Sequence, residues 1–237
     1  MRIKLNFTNN LKLVPNNLNV MNSYINKCWG DNNKYHNTES NYSISALLGG
    51  IVVDNGKHIN YPNGGYIIAT SLDSDFITKT LMGVLNNDII DYGMKFNGVD
   101  YIKESFYNGW NYFKTTNTGF IIKKPRNTIY DNDDTHKGYY TLNDPNLIDV
   151  LKNHIINKFG KIGDFDFTDM EIQITDHPKN RVEFRYSKQV KNSVNICQIN
   201  IKTNKKLAET IYNYGIGQSC GSGFGTVYST QYNNQYL

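Results

Sequence analysis

Charge, proline, tryptophan and paired cysteine are all scarce in this sequence. Charged residues make up 19% of its 237 positions, with five prolines and two tryptophans. The deficit of charge does not signal disorder, because 39% hydrophobic and 13% aromatic residues supply material for packed cores. Cys28, Cys197 and Cys220 are odd in number and show no C-x-x-C spacing. That pattern argues against a disulfide framework or a zinc site and suits a reducing cytoplasm. No apolar run approaches a membrane span, the longest being short pieces such as 44–53. The opening MRIKLNFTNN lacks an apolar segment of signal-peptide length. We therefore expect a soluble, cytoplasmic protein with no membrane partner. The net charge of +4 is compatible with an RNA partner, but many proteins without one are as basic.

What is present is a pattern of strands and helices that runs twice. Ile3, Leu5 and Phe7 alternate with polar residues, which predicts a half-buried opening strand. Pro15 introduces Leu18, Met21, Ile25 and Cys28 at helical spacing, predicting a helix over 16–29. Strands are expected over 42–54 and 65–71, then a helix capped by Asp73 or Ser74, then strands over 89–96 and 99–106. The second half offers strand residues over 110–124, a helix started by Asp144-Pro145 and ended by Gly160, and strands over 166–175, 181–187 and 194–201. A short helix over 204–214 and a final strand over 223–229 complete it. Both halves contain the β-α-β-β-α-β order of a ferredoxin-like unit, each with one strand more. The expected fold class is thus α+β, two tandem ferredoxin-like (RRM-like) domains at 1–108 and 109–230, with a polar tail at 231–237. The halves share architecture and no convincing sequence identity.

The most informative segment is Gly215-Ile216-Gly217-Gln218-Ser219-Cys220-Gly221-Ser222-Gly223-Phe224-Gly225, with five glycines in eleven residues. Such a loop between a helix and a strand can offer consecutive N–H groups to phosphate. It lacks the Gly-Lys-Ser/Thr and the strand-loop-helix order of a Walker loop, and it does not fit the dinucleotide fingerprint either. A plain helix C-cap and turn is the simpler reading of the same glycines. The Gly-Ile-Gly, small polar residues, Gly-Phe-Gly and following apolar strand resemble the closing signature of CRISPR-associated endoribonucleases of the RAMP superfamily. The branch resembled is the one that processes precursor CRISPR RNA (Cas-six type). MRIKLNF, Val14-Pro15-Asn16-Asn17, Asp144-Pro145 and 182–187 resemble further parts of that family, so the likeness spans the chain. Non-cleaving RAMP subunits share the glycine signature.

The resemblance implies a metal-independent cut that needs no cofactor. RNA supplies its own nucleophile, the 2′-OH beside the scissile phosphate, already held at high effective concentration. In the family a histidine lies between the first helix and second strand; here that histidine is His36, which follows Lys34 and Tyr35 and precedes Tyr42-Ser43-Ile44-Ser45. An imidazole can take the proton from the 2′-oxygen or give one to the 5′-oxygen. The family's helical tyrosine corresponds to Tyr24 or equally to Asn26. Its lysine after the histidine is missing, since 37–45 holds none; Lys34 or the Ser43 and Ser45 hydroxyls are the available substitutes. Products would be a 2′,3′-cyclic phosphate and a 5′-OH.

Candidate RNA contacts are Lys34, Lys123, Lys124, Arg126, Arg185, Lys188 and Lys191, together with Gly215, Gly217, Gly221, Gly223 and Gly225. Arg185-Tyr186-Ser187-Lys188 joins a strand to a basic turn with an aromatic available for stacking. No RNP-type aromatic motif is evident, so sheet-face stacking is not expected. Asp131 to Asp134 with His136 lack the later Glu of a calcium loop and read as a solvated stretch; no metal site is assigned. The expected partner is CRISPR repeat RNA. Two alternatives stand beside the nuclease. A RAMP subunit that holds guide RNA among other effector subunits explains the missing lysine. A small-molecule enzyme on the same scaffold would need a deep apolar pocket with converging titratable groups. A homodimer is compatible with the exposed strands and aromatics.

Overall fold

A computed structural model describes residues 1–30, 35, 41–125, 138–175, 182–185, 187 and 190–230. The expected tail at 231–237 lies outside the described residues, as does the Asp-rich stretch with His136.

In the first half, β1 (Arg2–Phe7) puts Ile3, Leu5 and Phe7 on one face, each nearly or fully buried. Two helices cover that face, α1 (Asn19–Trp29) and α2 (Ser74–Asn86). Met21, Ile25 and Cys28 on α1 meet Phe76, Ile77 and Val84 on α2 in one core. Each large apolar side chain removed from water contributes about 1.5–3 kcal/mol. The Asp73 carboxylate accepts the Asp75 N–H at 2.9 Å and fixes the start of α2. With β3 (Ser43–Ile44), β6 (Gly65–Thr70), β7 (Ile89–Ile90) and β8 (Met94–Ile102), the antiparallel sheet runs β3-β6-β1-β8-β7.

The second half repeats the plan. β9 (Gly109–Thr115), β10 (Glu171–Thr175), β13 (Gln198–Thr203) and β14 (Val227–Ser229) form a sheet ordered β10-β13-β9-β14. Counting core strands within each half, both sheets read second-third-first-fourth, the order of two β-α-β units interleaved through the middle strands. α3 (Leu147–Gly160) and α4 (Lys205–Tyr214) cover the face built from Phe113, Ile199 and Ile201. The Asn204 side chain accepts the Leu207 N–H at 2.9 Å and starts α4. The chain is therefore α+β with two ferredoxin-like units, as expected, and β8 ends at Ile102 while β9 begins at Gly109.

Several boundaries differ from expectation for local reasons. The first helix starts at Asn19, because Pro15 lies in β2 (Val14–Pro15) and the Asn17 side chain accepts the Asn19 N–H at 3.1 Å. The expected strand over 42–54 is interrupted after Ile44, leaving β4 (Ile51–Val53) to join β5 (His58–Asn60) and β2 in a separate three-stranded sheet. The strand expected to 124 stops at Thr115, where Thr116 accepts the Gly119 N–H in a turn. β11 (Val182–Arg185) and β12 (Lys191–Val194) form a two-stranded hairpin apart from the main sheet. Among the described residues, no helix is long and apolar enough to cross a membrane.

The halves share a third apolar cluster. Leu18, Ala46, Leu48 and Ile68 from the first meet Ile121, Val194 and Phe224 from the second, with Phe184 of the hairpin against them. Arg2, 2% exposed, lays its guanidinium 4.1 Å over the Tyr212 ring across this boundary.

Candidate nucleic-acid interface

The glycine-rich loop begins where α4 ends and lies mostly inside the molecule. Gly215, Gly217, Gly223 and Gly225 are buried; Gly221 is half-buried, and Ser219 is exposed. The N–H groups of Gly215, Ile216, Gln218, Ser222 and Gly225 are donated to the carbonyls of Ile211, Gly225, Ile121, Ser219 and Gly119. Those five donors are not available to phosphate. The loop expected to cradle phosphate instead closes on itself and on the first half, leaving residues 218–222 as its outward tip. Gly225 shows why glycine is required. Its φ is +72°, and a methyl there would overlap the Ile216 carbonyl. Ser43 Oγ lies 2.6 Å from Thr226 Oγ1, and Ser45 forms an isolated bridge with Gly223.

The residues assigned to catalysis are differently placed. His36 and Lys34 lie outside the described residues. Tyr24 is 5% exposed, edge-on to Phe7 at 5.7 Å, and its hydroxyl donates to the Asn87 carbonyl at 2.8 Å. Burial first, and then the Cys28 thiol beside it, raise its pKa. Ser43 is fully buried against Thr226. Both side chains are buried and hydrogen-bonded within the protein. The helical spacing of Met21, Tyr24, Ile25 and Cys28 already held that answer for Tyr24. Tyr35 and Tyr42, given no role from sequence, build an aromatic cluster with Trp29 and Phe76. Tyr35 is 8% exposed and packs its ring on Trp29, Tyr42 and Phe76, with centroids 5.7, 5.8 and 5.1 Å away. The Tyr42 hydroxyl donates to the Tyr35 carbonyl at 2.9 Å.

The basic residues divide. The Lys123 N–H donates to Gln218 Oε1 at 3.0 Å, which places an exposed lysine beside the loop tip. Lys124 is held by Asp144 at 3.1 Å and sits 5.2 Å from the Tyr140 ring centre. Lys191 lies 3.7 Å from Glu183. Arg185 pairs with Lys191 across the β11–β12 hairpin by its backbone. Its side chain, Arg126 and Lys188 are outside the described residues.

Sheet faces carry more than expected. Asn111, Phe113 and Thr115 of β9 are buried, so Trp110, Tyr112 and Lys114 stand on the opposite face. The register sets Trp110 beside Lys202, Tyr112 beside Asn200, and Lys114 between Gln198 and Tyr228. Tyr228 then reaches the first half, its hydroxyl 3.3 Å from that of Tyr66, whose ring lies 4.7 Å from the Lys4 ammonium. A run of lysines and half-buried aromatic residues thus extends from one sheet to the other. Its signal was the i, i+2 pair Trp110 and Tyr112, hidden by the lack of an RNP motif.

Residues 103–228, just over half the chain, match the family model for CRISPR associated protein Cas6, C-terminal. The chain belongs to the Cas6 family. Among solved structures it is similar to a Cas6-related protein from Pyrococcus furiosus, with TM-score 0.80, 16% identity, and 98% of each chain covered. A RAMP protein described as binding different RNA substrates gives TM-score 0.79 at 15% identity, covering 97% of this chain and 99% of that one. A CRISPR associated protein Cas6 gives 0.74 at 16%, with the same coverage. These likenesses establish the double ferredoxin-like fold. No curated protein matches by sequence.

In this Cas6 chain, Lys124 is held by Asp144 just ahead of α3. Asp144 feels burial, which raises its pKa, but the Thr141 N–H, the Thr141 hydroxyl and Lys124 outweigh it, and the net shift is downward. A carboxylate depressed in the fold stabilises above its unfolded pKa of about 3.9, and the contribution is lost as pH falls through the folded value. Asp144→Asn is expected to cost about 1 kcal/mol at pH 7, the partial exposure screening the rest. The difference from wild type should shrink as pH falls through the folded value, as thermal melts of both proteins in a series from pH 7 into acid would record. A deficit that persisted in acid would assign the loss to packing.

Proposed function

We propose that this Cas6 chain cuts precursor CRISPR RNA within its repeats as a metal-independent endoribonuclease, releasing guide RNAs. The catalytic loop belongs to a unit of residues 1–108 and the glycine-rich loop to one of 109–230. His36 moves the proton. As the 2′-oxygen attacks phosphorus and the bond to the 5′-oxygen breaks, the imidazole takes the proton from the first or supplies one to the second. Lys34 offsets negative charge on the phosphorane. The chemistry asks for no more, because nucleophile and electrophile are already joined in the substrate.

The observation that carries this reading is the contact between the two halves at Tyr42. Gly221 packs under Tyr42, and Tyr42 bonds the carbonyl of Tyr35, the residue preceding His36. The RNA path is read along Lys123 and the loop tip and over Trp110, Tyr112, Lys114 and Tyr66, where bases stack and lysines meet phosphate. Arg126, Arg185, Lys188 and Lys191 are assigned to the same partner.

A second reading has one observation in its favour. The Tyr24 and Ser43 hydroxyls are bonded internally, as suits a RAMP subunit that holds guide RNA among effector subunits without cutting. One experiment separates the two. Purified protein is incubated in EDTA with labelled repeat RNA from the neighbouring array, beside a copy carrying 2′-deoxyribose at the nucleotide before the cut. Cleavage of the first at one position, and none of the second, is expected. Tight, salt-sensitive binding of both without cleavage would establish the guide-holding subunit instead.

A further inference from the structure

Lys158 holds several acceptors at once. It stands in the last turn of α3, and its ammonium donates to the Tyr214 carbonyl at 3.0 Å, the Gly215 carbonyl at 3.3 Å and Cys220 Sγ at 3.4 Å. The two carbonyls close the C-terminal end of α4, which a lysine commonly caps. The thiol adds little to that cap, because sulfur is a weak acceptor. Its presence sets an amine nitrogen against a sulfur, both nucleophiles, between α3 and the glycine-rich loop.

Cys220 is 1% exposed and lies at the centre of the loop. Its S–H is directed to the Gly217 carbonyl at 3.3 Å, with that of Ile216 at 3.6 Å. A methyl on Gly215 or Gly225 would come within 3.1 or 2.9 Å of the sulfur. Exposed Ser219 and half-buried Gly221 flank Cys220, so the sulfur lies one residue beneath the surface. Among the described residues, no ion pair holds the Lys158 ammonium. When it gives up the proton it directs at sulfur, the lone pair left behind faces that sulfur. Burial pushes the Cys28 and Cys197 thiols up to about 11 and about 12, which keeps both protonated and poorly reactive.

We propose that Lys158 and Cys220 are a modification site at which hydrogen peroxide joins amine to thiol through one oxygen, stapling α3 to the glycine-rich loop by an N–O–S linkage. It requires nothing of His36. The sulfur attacks one peroxide, gains an oxygen as sulfenic acid and releases water. The Lys158 nitrogen attacks a second peroxide, becomes a hydroxylamine and releases another water. The hydroxylamine oxygen then attacks the sulfenic sulfur and displaces a third water. Sulfur and nitrogen each give up an electron pair, one to each peroxide.

The full chain, reduced and then treated with hydrogen peroxide, is read by intact mass. The expected product is heavier by one oxygen less two hydrogens, and dithiothreitol returns it to the starting mass. Trypsin should fail at Lys158 and leave 153–161 joined to 207–237, the peptide that holds Cys220. The oxidised chain should melt about 5 °C higher, since the staple closes a long loop in the unfolded chain. Neither Lys158→Arg, which keeps the charge, nor Cys220→Ser, which keeps a small polar side chain, should give the product. Gains of whole oxygens with Lys158 still cut by trypsin would mark an ordinary oxidised thiol and overturn the proposal, as would no change in mass. A cross-link mapped to another lysine, or formed in Lys158→Arg, would overturn the pairing. The linkage without a higher Tm would overturn its role as a staple. The wild-type masses and peptide map decide the matter even where a variant fails to fold.

Discussion

His36→Ala is expected to lower the cleavage rate by about 10²- to 10⁴-fold, the range for loss of a general acid or base. Binding should hardly change. Affinity for a repeat arises from lysines meeting phosphate and rings meeting bases, and Lys114, Lys123, Trp110 and Tyr112 sit on strands and a loop that the substitution leaves alone. The loss should therefore appear in single-turnover rates at saturating protein and not in the dissociation constant of a 2′-deoxy repeat. Its size also tests the loop itself. With Tyr24 and Ser43 turned inward, no described hydroxyl takes over the proton, so the residual rate should lie near the lower end of the range. Equal cleavage by both proteins would remove His36 from the mechanism. A parallel drop in binding would instead make it an RNA contact.

What was legible in the sequence follows from where each signal is written. The helices α1, α2 and α3 carry their core faces in local spacing, as do Ile3, Leu5 and Phe7 on β1, and two repeats of β-α-β-β-α-β then leave few topologies. The small sheet of β2, β4 and β5 was not legible. Its strands are two or three residues long and half exposed, so neither alternation nor composition marks them. The glycine-rich loop was legible as an element and misleading as a surface. Composition announces backbone freedom, while the partners that use it, Ile121, Gly119 and Tyr42, lie far away in the chain. Tyr24 could have been read as core from its own helix. Tyr42 could not, because its value depends on a carbonyl seven residues back and a glycine from the other half.

Gly225→Ala is the second large effect, and it bears on what the loop is for. Gly225 stands at φ +72° with its N–H donated to Gly119 and its carbonyl accepting from Ile216, both at 2.8 Å. An alanine methyl would overlap the Ile216 carbonyl and come within 2.9 Å of Cys220 Sγ, so backbone strain and a steric clash add at one residue. A destabilisation of about 3 kcal/mol or more is expected, near 6–12 °C in Tm for a chain of this size. Gly160→Ala is the matched control. It ends α3, and among the described residues its added methyl would meet only Phe167, at 4.0 Å. There the same substitution should be neutral or raise stability by up to about 1 kcal/mol, because glycine is a poor helix former. Opposite signs in the two melts would establish the loop as the lock between the halves, with the basic and aromatic surface left to hold RNA. A Gly225→Ala protein that melted like wild type, yet bound repeat RNA weakly, would return the glycines to the role of phosphate cradle.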